Sequence, residues 1–189
     1  GKETDMKRLI LLATSVLLSA CQTAYVGNEN SPYYTIPVGS TLTLNQNAVI
    51  PPNLAGFLLQ NGQIQTQSQI NQYYPYCKFE VLKIRDDPQP IQADTFSIVK
   101  VVQQIDHSVD AGQTKLAGLS IGIGIGISNG GSSVQTYATR LNLRSEKQPE
   151  VFRLSCGLWD YPEKGKHLTI NEIRKALGNV FTLQLASGK

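Results

Sequence analysis

The feature that most limits what this chain can fold into is alternation with a period of two, and its most regular instance is Ser120 to Ser128, SIGIGIGIS. In an extended chain the isoleucines fall on one side, and only glycine and serine fall on the other. A helix through the same residues would set Gly118, Gly122 and Gly126 at the G-x-x-x-G spacing of packed membrane helices. Leu116 to Ile127 is only about 12 residues, well short of a span, and each glycine would cost about 1 kcal/mol inside a helix. The segment reads as a strand. Its isoleucines face a core, a protein interface or, as a hairpin with 134–143, a membrane. Val134, Thr136, Ala138 and Arg140 on one face of that second strand, with Gln135, Tyr137, Thr139 and Leu141 on the other, offer no clean lipid side. Ser120, Gly122, Gly124, Gly126 and Ser128 are therefore candidate interface residues.

The same periodicity recurs along the chain. STLTLNQ alternates, and AGFLLQNG ends at Asn61-Gly62, a dipeptide suited to a two-residue hairpin turn. Beyond it, QIQTQSQIN puts Gln63, Gln65, Gln67 and Gln69 on one face, which predicts a further strand. CKFEV, DTFSIVKVVQQI, SVQTYATRLNL, EVFRLSCGLW and NVFTLQL complete the set. Only LTINEIRKALG has a helical period: Thr169 and Glu172 form a capping-box spacing, Ile170, Ile173 and Leu177 share a face, and Gly178 stops it. Seven to nine strands with one late helix predict a mainly β fold, an antiparallel β-sandwich or small barrel with one helix in the C-terminal region.

Charge is unevenly placed. No charged side chain occurs from Asn30 to Cys77, or from Leu116 to Thr139. Uncharged strands rich in Asn, Gln, Ser and Thr suit a surface that meets another surface better than a solvated tail. Of the 17 basic and 14 acidic residues, three and two precede Cys21. What remains is too balanced for a nucleic-acid partner.

The N-terminal residues carry an address. After Gly1 to Asp5, MKRLILLATSVLLSAC starts at Met6 with Lys7 and Arg8, continues with apolar Leu9 to Leu18, and ends in small residues before Cys21. That order is a secretory signal, too short to span a bilayer. Leu18-Ser19-Ala20-Cys21 resembles the lipobox of bacterial lipoproteins. The resemblance implies cleavage before Cys21, acylation of that cysteine and, with Gln22 next rather than aspartate, delivery to the outer membrane of a Gram-negative cell. It divides the chain into a leader and lipoprotein signal peptide (1–20), a tether (21–32) and one β-rich periplasmic domain (33–189). The body resembles uncharacterised proteobacterial outer-membrane lipoproteins in Tyr74-Pro75-Tyr76-Cys77 and in the late helix, a resemblance that carries no activity. With Cys21 lipidated, Cys77 and Cys156 are an even pair in an oxidising compartment, and a disulfide between them is expected.

Chemistry-bearing motifs are sparse. GLSIG and GISNG match G-x-S-x-G around Ser120 and Ser128, but a nucleophile elbow needs a helix after the serine, and none is patterned there. His107 stands between Asp106 and Asp110, one ring and two carboxylates, which reads as a polar loop rather than a metal site. Lys164, Lys166, His167, Arg174 and Lys175 form a basic cluster, solvated or turned toward lipid phosphates or cell wall. No catalytic residue, metal or cofactor is expected. The expectation is a lipid-anchored, non-enzymatic outer-membrane domain that binds an envelope protein or itself, as an assembly accessory. A ring or secretion-channel subunit is the alternative, followed by a small cell-wall or lipid hydrolase.

Overall fold

The computed structural model describes residues 27–107 and 134–186; Cys21 and the candidate interface at Ser120, Gly122, Gly124, Gly126 and Ser128 lie outside them. The body is mainly β. Its strands are β1 (Thr41–Leu44), β2 (Ala48–Ile50), β3 (Gly56–Gln60), β4 (Gln63–Gln65), β5 (Tyr76–Val81), β6 (Gln89–Ile91), β7 (Asp94–His107), β8 (Gln135–Arg144), β9 (Val151–Asp160) and β10 (Phe181–Gln184). One helix, α1 (Ile170–Leu177), precedes the last strand. Eight strands form an antiparallel sheet in the order β10-β1-β7-β8-β9-β5-β3-β4, and β2 and β6 make a separate ladder.

The sheet curls. Phe181 of β10 lies 6.3 Å, ring to ring, from Phe57 of β3 and 5.4 Å from Phe79 of β5. In a flat sheet β10 and β3 would stand about 29 Å apart, since neighbouring strands are spaced at about 4.8 Å. Only a sheet bent onto itself brings those rings together. The concave side then holds the core: Leu42, Leu44, Phe57, Leu59, Phe79, Phe96, Ile98, Leu141, Leu154 and Phe181 are all buried. α1 packs against β3, β5 and β10, and adds Ile170, Ile173 and Leu177 to that core.

Two local devices set the ends of these elements. Asn61 and Gly62 both have positive φ, 52° and 76°, as the primed hairpin turn between β3 and β4 requires. Gly62 also rests on Gly178, whose added Cβ would come within 2.3 Å of the Gly62 Cα, so the hairpin turn and the helix terminus need bare backbone together. Thr169 caps α1: its hydroxyl accepts from the Glu172 amide at 3.2 Å, and the Glu172 carboxylate accepts from the Thr169 amide at 2.8 Å. Gly178, at φ 55°, ends the helix by donating its N–H to the Arg174 carbonyl at 2.8 Å.

One stretch differs from expectation. The glutamine strand stops at Gln65. Thr66 donates both its amide and its hydroxyl to the Gln69 side chain (2.9 and 2.8 Å), turning Gln67–Gln69 into a single 3₁₀ turn. Local side-chain bonds compete with the ladder there, and they win. Upstream, the chain is bound from Asn28 onward: the Arg174 guanidinium donates to Glu29 at 2.8 Å, the Ile170 amide donates to the Glu29 carbonyl at 3.2 Å, and Ile36 is buried.

Candidate interaction surface

Cys77 and Cys156 face each other across β5 and β9, with sulfurs 2.08 Å apart and Cα atoms 4.0 Å apart. The expected pair therefore stands at disulfide distance. Both side chains are buried on the inner face, where they tie the centre of the sheet.

The outer face of the same strands carries charge in fixed arrangements. Glu80 is 4% exposed. Arg153 donates to it through Nε and, at 3.4 Å, through Nη2, while Lys78 Nζ lies at 3.0 Å and the Ser155 hydroxyl at 3.4 Å. Burial pushes the Glu80 carboxyl up, but its bonds to Arg153 and Lys78 more than offset this and hold its pKa below the ordinary glutamate value. Phe152 supports Arg153, whose guanidinium sits 4.8 Å from the ring centre. Further along, Arg140 donates to Asp106 at 3.1 Å, and Gln104 does so at 2.6 Å. The Asp106 carboxylate is thus taken up by its own sheet; His107 closes β7, and Asp110 lies outside the described residues. Among the described residues, no three of His, Cys, Asp and Glu stand close enough to share a metal ion.

β7, the longest strand of the sheet, is paired along only part of its β1 side among the described residues. Over Asp94–Ser97 it pairs with β1, and Ile98 exchanges backbone bonds of 2.9 Å with Gly39 and Ser40. On its other side β8 pairs with it as far as His107. From Val99 to Asp106, among the described residues, no strand lies on the β1 side. That edge of eight residues is about 26 Å long at the rise of a strand. In an extended strand every other residue turns its amide and carbonyl outward along such an edge, a template for another strand. A β-bulge between Ile98 and Lys100, together with Lys100 and Asp106, protects the two ends. Val101, Val102, Gln103, Gln104 and Ile105 between them carry no charge. Val99 and Ile105 are 46% and 48% exposed.

At the far end of this hairpin, Tyr137 is buried and donates its hydroxyl to Gln135 at 2.9 Å. Gly165 lies flat on the Tyr137 ring, where an added Cβ would come within 1.9 Å of the ring carbon bearing the hydroxyl. His167 meets the same ring edge-on at 6.0 Å. Burial lowers the His167 pKa, and its Nδ1 is enclosed with no hydrogen-bond partner among the described residues. At the opposite end, a shallow hollow of about 440 Å³ has Leu82, Val99, Leu143 and Phe152 in its wall and Arg144 as its one charge.

Of the residues singled out by sequence, the fold brings together Cys77 with Cys156, while Lys164, Lys166 and His167 lie in the loop that runs into α1. The open edge of β7 was not among them. Its signal was the length of the run from Asp94 to His107, which exceeds any strand it could pair with on the β1 side. No protein-family model, no curated protein and no solved structure matches this chain.

Proposed function

We propose that this chain is a lipid-anchored periplasmic domain of the outer membrane, held by acylated Cys21, that binds an envelope protein by strand addition and catalyses no reaction. The observation that carries the binding is the uncharged side of β7 from Val101 to Ile105, along which no strand lies among the described residues. A partner strand there gains main-chain hydrogen bonds along the edge and side-chain contacts with Val99 and Ile105. A non-catalytic role is supported by the engagement of the acidic groups. Glu80 is held by Arg153 and Lys78, and Asp94, whose pKa is lowered by bonds to Ser145 (2.6 Å) and Gln148 (3.2 Å) despite its desolvation, braces the turn between β8 and β9. These carboxylates are committed to permanent charge, not poised to exchange a proton.

The test is to extract the full-length protein from membranes in mild detergent, cross-link it, and compare it with Val99→Lys/Ile105→Lys. Lysine is the residue with which natural edges discourage pairing. A single cross-linked partner in the parent, reduced several-fold in the variant, is the expected result. A cross-linked partner that survives the variant unchanged removes the edge from the reading. A discrete high-mass species containing only this chain would support the ring-subunit alternative, with β7 pairing between copies.

A further inference from the structure

Acylation of Cys21, the premise taken from the proposed function, sets a limit on how far the domain can stand from the bilayer. From Cys21 to Asn28 the chain is seven residues long, an extended reach of at most about 25 Å. The Asn28 carbonyl accepts from the Ser31 amide at 2.8 Å. Glu29 and Asn30 then bind α1: Glu29 pairs with Arg174, and the Asn30 side chain accepts from Asn171. The chain therefore enters the body on the solvent side of α1, near its first turn.

That side is basic. Lys175 follows Asn171 by four residues, on the same exposed helical face. Lys164 and Lys166, also exposed, lie in the loop that leads from β9 through Gly165 and His167 into Thr169. The carboxylates nearby are largely occupied. Glu29 is on Arg174, Glu172 is turned back onto Thr169, and Asp160 accepts from the Tyr161 amide at 2.8 Å. Among the described residues, Glu163 is the one exposed carboxylate of the loop without a hydrogen bond or ion pair, against three unpaired lysines.

We infer that this face, the outer side of α1 with the 160–167 loop, lies against anionic phospholipid headgroups, and that Lys164, Lys166 and Lys175 make the contact. Three lysines alone hold a protein to a membrane weakly. A tether this short keeps them at high effective concentration over the surface, so that a weak attraction becomes a preferred orientation. The other end of the body is out of range. β9 runs about 30 Å from Val151 to Asp160, and the Lys83–Glu150 pair, at 3.3 Å, sits by its first residue, several screening lengths away.

The experiment is amine acetylation of the full-length acylated protein, reconstituted into vesicles of phosphatidylcholine with or without phosphatidylglycerol and read lysine by lysine by mass spectrometry. Lys164, Lys166 and Lys175 should label several-fold more slowly in the anionic vesicles, with protection lost at high salt, while Lys83 and Lys147 keep one rate in both. Equal rates for the three lysines in the two vesicles would overturn the inference, as would protection of Lys83 and Lys147 in their place. The peptide starting at Cys21 reports separately on the premise. An acylated mass with unprotected lysines rejects the membrane-facing surface alone, whereas an unmodified Cys21 rejects the anchor and this surface with it.

Discussion

The rings of Phe57, Phe79, Phe96 and Phe181 and the outer half of β7 are made from similar β-forming sequence, yet they end in opposite conditions. Phe79 touches all three of the other rings at 5.1 to 5.9 Å and has strands on both sides. β7 beyond Ile98 has one neighbouring strand among the described residues, and on its other side a row of backbone groups with none. The difference does not lie in hydrophobicity, since Val99, Val101, Val102 and Ile105 are as apolar as the core strands. It lies in whether the order and length of the strands give a second neighbour along the sheet, since β5 lies between β9 and β3 while β1 ends short of β7. Where they do, the residues contribute stability; where they do not, the residues remain available for binding.

That contrast can be broken in steps. The largest expected effect comes from the cross-link at the closed region. The cysteines are 79 residues apart in sequence, and Cys77→Ala/Cys156→Ala should lower unfolding free energy by about 4 to 5 kcal/mol, the chain-entropy value for a loop of that length. A urea titration of both proteins checks this, and alkylation of the parent without reduction should find neither thiol free. Next, Phe79→Ala should cost about 3 to 4 kcal/mol, as a large ring leaves a packed site. Val99→Lys/Ile105→Lys should shift the same titration by less than about 1 kcal/mol, because exposed substitutions seldom do more. If the edge variant proved as damaging as the core variant, β7 would be part of the packed body and not a free edge.

The smallest effects concern pH, and both lie on the acid side. The Glu80 pKa is depressed in the fold, so its stabilisation is present above the ordinary glutamate value of about 4.3 and is lost as pH falls through the depressed one. His167 is also depressed, by burial, which favours the neutral ring. Its unfolded form takes up a proton first, so stability declines as pH falls below about 6.5, the ordinary histidine value. Urea midpoints measured against pH should lose the upper slope in His167→Gln, and the lower one, to which Asp94 also contributes, should flatten in Glu80→Gln. An unchanged profile in either variant would show that the group is not held as the geometry implies.

Local rules were legible in particular residues. Asn61-Gly62 specified its hairpin because few residues other than glycine and asparagine accept positive φ at low cost. Thr169, Glu172 and Gly178 bounded the helix through bonds that reach no further than four residues. The strand expected at Gln63–Gln69 failed for a reason of the same range: alternation was present, but the Thr66–Gln69 bonds competed with it, and β4 has no outer neighbour among the described residues to strengthen its claim.

By itself the sequence determined the β character and the late helix with its caps, because each depends on neighbours along the chain. The tertiary structure alone decided that β10 meets β3 and β5, that Glu80 is buried between Arg153 and Lys78, that the chain enters beside α1, and that β7 outruns β1. Those outcomes depend on strand order and on the direction of the curl, which bring together residues separated by dozens of positions and leave no periodic trace in the sequence.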